Sequence, residues 1–250
     1  MKTSTKLLII FFACIPASLW AYNSLLKKQL DAHNLVMELR PDPYQSYTEQ
    51  ELPAFKYVVV NGALTFGDGS YKDPDWQPKI NFSTNGKSKS VNSISILKQY
   101  GSMVKQTVVN DTLYISFHKK IKYDADPYPP YDPYIININA VDLHQLDGSF
   151  AQFNVDASVV PARQLKVSMA GKGNLSINGM TADRLDLAVK DLFEVNLSAN
   201  SINNLYYTIQ GNGKLTMDIY TAKHFYPGKI DSLAWMEIKG KGLEMQQYLK

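Results

Sequence analysis

The sequence predicts an all-β fold, a right-handed β-solenoid (β-helix) with rungs of about 20 residues, preceded by an N-terminal membrane-anchoring helix. Three observations carry this expectation. First, the stretches LKVSMAGKGNLSINGMTADR, LDLAVKDLFEVNLSANSINN and LYYTIQGNGKLTMDIYTAK follow one another from Leu165 and fall into register. Leu165, Leu185 and Leu205 coincide, as do Leu175, Val195 and Leu215, and Ile177, Leu197 and Met217. Second, apolar and polar residues alternate within each stretch, which places the aliphatic side chains on one face of a strand. Third, Gly171, Gly173, Gly211 and Gly213 fall between the alternating runs, where a backbone that turns tightly needs glycine. A two-strand unit cannot bury its apolar face alone, whereas units stacked about 4.8 Å apart share a continuous interior.

Along the chain, residues 1–28 read as a signal anchor or a signal peptide. Lys2 and Lys6 precede an apolar run from Leu7 to Leu26, and Lys27 and Lys28 follow it. That run has the length of a bilayer-crossing helix. Cleavage after Ala21 is the other reading, with Leu19 standing where a small residue is preferred. Residues 29–53 are polar and turn-prone, and read as a spacer. The solenoid domain is expected over 54–250, with an irregular part at 54–145, regular rungs at 146–220 and a C-terminal cap at 221–250. In the irregular part, FKYVVVNGALTFGDGSY suggests a hairpin turning at Asn61-Gly62, and KINFS, SISIL, VKQTVV and TLYISF suggest short strands. Within 221–250 an insertion at AKHFYPGKI breaks the spacing, as a terminal unit would.

Composition excludes several functions. The net charge of +3 comes from 26 basic and 23 acidic residues scattered along the chain, and arginine occurs only at 40, 163 and 184, so no basic field is present for nucleic acid. Cys14 is the sole cysteine and lies in the apolar N-terminal run, which leaves the body without disulfides or a thiolate metal site. His33, His118, His144 and His224 have no metal-ligand neighbour at a recognised spacing, so neither a metal nor a cofactor is expected.

The N-terminal segment, FKYVVVNGALTF, VVNDTLYISF and GKGNLSINGMTADRLDL together resemble the putative auto-transporter adhesin, head GIN domain family, a group of β-helical domains common in the Bacteroidetes. The resemblance covers roughly residues 50 to 220. It implies a surface or periplasmic location and no established chemistry. Asp191, Leu192 and Phe193 depart from it where the neighbouring stretches carry Gly-x-Gly.

Two functions remain in view. One is a non-enzymatic cell-envelope module facing outward, used for binding, adhesion or scaffolding. It would be anchored in the inner membrane through the N-terminal segment and face the periplasm, or be secreted to the envelope if that segment is cleaved. Its expected contact residues lie in a proline-rich loop: Tyr123, Asp126, Tyr128, Tyr131, Asp132 and Tyr134 place flat amphipathic rings beside acceptors, suited to a glycan or a protein partner. The alternative is a periplasmic polysaccharide-processing enzyme whose carboxylates come from Asp183, Asp186, Asp191 and Glu194, with Arg184 nearby.

Overall fold

The computed structural model describes residues 22–24, 27, 47–67, 71–73, 76–83, 91–119, 134–156, 164–218 and 220–240. The chain divides into two units, Met1–Gln45 and Ser46–Lys250, and all described strands lie in the second. Its N-terminal half holds β1 (Tyr47–Glu51), β2 (Tyr57–Phe66), β3 (Tyr71–Asp73), β4 (Lys79–Phe82), β5 (Ser93–Leu97), β6 (Val104–Val109), β7 (Thr112–Lys119) and β8 (Ile136–Asn139). The C-terminal half continues with β9 (Gln145–Ser149), β10 (Gln152–Asp156), β11 (Gln164–Ala170), β12 (Lys172–Asn178) and β13 (Thr181–Val189). It ends with β14 (Leu192–Ser198), β15 (Ser201–Ile209), β16 (Lys214–Asp218), β17 (Ala222–Ile230) and β18 (Trp235–Lys239).

Two sheets result. The first runs β1-β5-β8-β4-β10-β12-β14-β16-β18, and the second runs β17-β15-β13-β11-β9-β2-β7-β6, with β3 paired to β2 outside this order. From β9 onward, successive strands go alternately to the second and the first sheet. Leu165, Leu185 and Leu205 are Cα partners across β11, β13 and β15, while Leu175, Val195 and Leu215 are partners across β12, β14 and β16. All six are essentially inaccessible and belong to one core cluster fed by both sheets. Period-two alternation in the sequence therefore becomes an aliphatic interior between the sheets.

This architecture corrects the expected right-handed β-solenoid. Both sheets are mixed: β1 with β5, β5 with β8, β6 with β7, and β2 with β3 pair antiparallel. The order β1-β5-β8-β4 also departs from chain order. The reason is that the twenty-residue spacing fixes which neighbours run parallel and in what register, but it ends at the N-terminal half. There, turns such as Asn110-Asp111, both with positive φ (48° and 58°), fold the chain straight back on itself. The expected N-terminal membrane helix is not found either: within 1–28 the described residues with helical backbone are 22–24 and 27, and among the described residues no helix is long and apolar enough to cross a membrane. The rest of the 1–28 segment lies outside the described residues.

The hairpin expected at Asn61-Gly62 is also replaced. Tyr57–Phe66 is one continuous strand, with a register shift against β7 between Asn61 and Leu64. The Asn61 side chain accepts a hydrogen bond from the Ala63 amide at 3.1 Å, so this pair makes a bulge rather than a turn. Gly62 is required by contact, because a Cβ there would lie 2.1 Å from the Phe150 carbonyl oxygen.

The crossings between sheets use left-handed backbone at fixed intervals. Gly171, Asp191 and Gly211 have φ of 74°, 61° and 63°, while Gly179 and Ala199 have 69° and 53°. Asp191 thus occupies the turn that glycine holds in the neighbouring stretches, and its carboxylate accepts the Gly171 amide at 3.0 Å. Asp231 does the same for Gly211 at 3.0 Å. At the opposite crossing, buried Asn200 accepts the Met180 amide at 2.7 Å and donates to the Ile177 carbonyl at 2.9 Å. These three crossings are thereby capped by side chains from about one register length downstream, which satisfies amides that the strand ladders leave over. The irregular spacing at AKHFYPGKI is a shift between Tyr207/Ile209 and Pro227/Ile230, after which the register lengthens to Lys214 opposite Trp235.

Replacing Leu185 with aspartate places a charge between Leu165 and Leu205. We expect a loss of about 3–5 kcal/mol, against roughly 2–5 kcal/mol for Leu185→Ala, with Asp the more damaging in chemical denaturation. An Asp variant as stable as the Ala variant would show that the column is open to water.

Asp231 is held below the usual carboxylate range first by the Gly211 amide and then by Lys229. A depressed folded pKa means stability that is present above the ordinary aspartate value and is lost as pH falls through the folded one. Wild type should therefore unfold later than Asp231→Asn at neutral pH, and the gap should close as pH drops below about 4. A gap that ignores pH would remove the charge from the explanation.

Candidate functional site

The outward faces of the two sheets differ in what they leave available. On the first sheet, side-chain amides bond to one another across strands: Asn178 donates to Asn154 (3.3 Å), Asn154 to Asn81 (2.8 Å) and Asn81 to Asn137 (3.1 Å), with Ser198 bonded to Asn178. This face answers its own hydrogen-bonding needs. The second sheet instead builds a row from Lys166, Asp186, Tyr206 and Tyr226, which are Cα partners across β11, β13, β15 and β17. Beside it runs a row of small residues, Ser168, Ala188 and Thr208, followed by Gly228.

Large side chains beside small ones make a shallow trough of about 500 Å³ across the strands, lined by Lys166, Asp186, Ala188, Tyr206, Thr208 and Tyr226 among others. Its wall is a continuous stack. The rings of Tyr206 and Tyr226 lie 4.5 Å apart at 12°, close to parallel. The Arg184 guanidinium sits 4.3 Å from the Tyr206 ring centroid on the neighbouring strand. Two residues along β13, and therefore on the same face, Asp186 accepts hydrogen bonds from Arg184 Nε and Nη2 at 2.8 and 2.9 Å. These bonds and the Asp186 charge raise the Arg184 pKa further above its ordinary value, so it stays a cation. The inward Tyr207 phenol is pushed up by burial and remains neutral. Tyr226 stands on the edge strand with no described strand beyond it and is 42% exposed.

Of the sequence-predicted contact residues, Tyr123, Asp126, Tyr128, Tyr131 and Asp132 lie outside the described residues. Tyr134 is described and exposed, and its carbonyl accepts a hydrogen bond from the Tyr47 hydroxyl. The carboxylates considered for catalysis do not converge. Asp186 is on the second sheet and bound to Arg184, whereas Glu194 is on the first sheet, 3.9 Å from Lys214. Asp191 sits at a crossing, and Asp183 accepts from Asn203 at 2.8 Å. His118 bonds Thr65 at 3.1 Å and His144 pairs with Asp142 at 3.0 Å, at separate places in the fold. Tyr206, Tyr226 and Lys166 were missed as site residues, although they share the phase one step beyond the leucine column.

Residues 81–225 match the family described as putative auto-transporter adhesin, head GIN domain. The chain belongs to this family. The head GIN segment runs from β4 into β17 and contains β11, β13 and β15 of the trough, while Tyr226 lies one residue past its end. No curated protein matches the chain. Solved structures similar to it include a putative adhesin from Bacteroides fragilis, at 12% identity over 77% of this chain and 96% of that one, TM-score 0.40. A putative lipid binding protein from Parabacteroides distasonis shares 15% identity over 78% and 95% of the two chains, TM-score 0.31. A putative cell adhesion protein from Clostridium sporogenes shares 11% over 78% and 99%, TM-score 0.32.

The trough floor depends on Gly228. A Cβ there would lie 2.6 Å from Thr208 Cγ2, too close to keep, so the Thr208 side chain or β17 would have to shift. Gly228→Ala should cost about 1–3 kcal/mol in unfolding free energy, as overpacking does. Adding Thr208→Ser, which deletes that methyl, should return most of the loss in a double-mutant cycle. Strict additivity of the two changes would mean that the contact is not the cause.

Proposed function

We propose that the chain is a non-enzymatic binding module of the cell envelope, of the adhesion type. In this reading residues 1–28 hold it at the membrane, the residues from 29 up to β1 act as a spacer, with the expected spacer end at 53 cut back because Tyr47–Glu51 pairs with β5, and the sheets face outward. The observation that carries the reading is the trough on the second sheet: a stacked Arg184–Tyr206–Tyr226 wall over a floor of small residues, open to solvent on a strand-paired face. Aromatic rings with polar tips give large contact area at little cost in side-chain freedom, which suits a recognition surface. Family membership supports the same class, since the family is described by adhesion. The polysaccharide-processing alternative requires two carboxylates facing one cavity, and the four considered are spread over two sheets and a crossing, each engaged with a neighbour.

Two measurements test this together. In intact cells with a permeabilised outer layer, added protease should cut the strand-bearing unit. Purified full-length chain should bind isolated envelopes, and Tyr206→Ala/Tyr226→Ala should weaken that binding about tenfold, as loss of aromatic anchors does, while the variant still unfolds cooperatively with the small loss of stability that removing the stack brings. A strand-bearing unit confined to the cytoplasm, or envelope binding indifferent to both tyrosines, would sink the proposal.

A further inference from the structure

We infer that the trough is a subsite for a carboxylated glycan, with the sugar carboxylate at Lys166 and a sugar ring against the open face of Tyr226. This rests on the binding reading above and names its ligand class. Three features point there.

Direction comes first. The trough crosses β17, β15, β13 and β11 at right angles to the strands, roughly 14 Å over three strand spacings. An occupant lying along it cannot use the main-chain ladder of any strand, which is how an extended peptide adds to a sheet. Pro227, with no amide hydrogen, further blunts the edge strand for that purpose. The ligand is therefore a chain whose recognition relies on side chains alone.

The second feature is the chemistry those side chains offer. Along the trough stand the phenol groups of Tyr206 and Tyr226 and the hydroxyl of Thr208, which both donate and accept hydrogen bonds. Tyr206 is covered on one face by Tyr226 and flanked by Arg184, whereas Tyr226 has no strand beyond it among the described residues. A ligand rich in hydroxyls, with flat patches of C–H groups, meets both kinds of surface. A saccharide has that make-up.

The third is charge. Of the three charged groups at the wall, Arg184 and Asp186 neutralise each other through a two-nitrogen contact. Lys166 is the Cα partner of Asp186, and its backbone amide donates to the His144 carbonyl, yet among the described residues its side-chain ammonium has neither an ion pair nor a hydrogen bond. The wall thus carries one uncompensated positive charge at the end opposite the open Tyr226 ring. Charge complementarity selects an anionic sugar over a neutral one.

The test uses the full-length chain titrated calorimetrically with a short oligogalacturonate and with the same oligomer methyl-esterified, which keeps the hydroxyls and removes the charge. At low ionic strength the acid should bind about three- to fivefold more tightly than the ester, the size expected of one exposed ion pair. That preference should vanish near 1 M salt. Lys166→Gln should bring the acid down to the affinity of the ester and leave the ester unchanged, while Tyr226→Ala should weaken both. Cooperative unfolding of wild type and variants, well above the titration temperature, excludes misfolding. Equal binding of acid and ester by wild type, or a preference that survives Lys166→Gln, overturns the inference. Failure of both oligomers overturns it too. In that case envelope binding that still depends on Tyr206 and Tyr226 would show the ligand class to be wrong and the module reading to stand, whereas loss of that dependence would remove both.

Discussion

Everything in the C-terminal half depends on one backbone constraint: the chain must cross between the sheets at intervals that keep aliphatic residues in phase. The crossings meet it with left-handed residues at 171, 191 and 211 on one side and at 179 and 199 on the other. Because side-chain direction alternates residue by residue, an error of one residue at any crossing would turn the whole following strand inside out. Ala199 and Asp191 accept that conformation although they carry a Cβ, a cost of order 1 kcal/mol each. The adjoining Asn200 and the Asp191 carboxylate offset it by capping amides of the preceding turn.

Fixing the interior phase also fixes the exterior one. With Leu165, Leu185 and Leu205 inward, Lys166, Asp186 and Tyr206 are obliged to point outward and to fall into one row. Stacking of Tyr206 on Tyr226 contributes roughly 0.5–1.5 kcal/mol beyond area burial and orients both rings. The wall is thus a by-product of the core register, given rigidity by it. Row identity is then free to vary without disturbing the interior.

Legibility in the sequence follows the same division. The columns at 165/185/205 and 175/195/215 were readable because identical spacing and period-two alternation coincide there. The overall architecture was not, since spacing within one half says nothing of how β1, β5 and β8 pair, and their antiparallel contacts join segments roughly 40 or more residues apart, whereas β6 and β7 pair locally across Asn110-Asp111. Asn61-Gly62 shows the limit at a single site: the dipeptide favours a turn, but the close approach of Phe150 makes it a bulge inside a strand. Family membership was legible from the glycine and asparagine patterns around the crossings. The trough was not, because Tyr206 and Tyr226 are twenty residues apart and become neighbours only through the register.

The edge strands β1 and β17 bear on the proposed role of the outer face of the second sheet, because both are defended against strand addition. At one end β1 exposes Thr48, Glu49, Gln50 and Glu51, and Gln106 of β6 donates to Gln50 at 2.7 Å, tying the two edges together. At the other end β17 carries Lys223, Pro227 and Lys229 and a register shift, all of which discourage strand addition. Edges defended in this way keep neighbouring molecules from pairing by main chain, so selectivity passes to side chains standing on the sheet. Tyr226 lies where both conditions meet. It belongs to a defended edge strand, which keeps its ring free of a further strand, and to the outward row, which holds the ring in place against Tyr206.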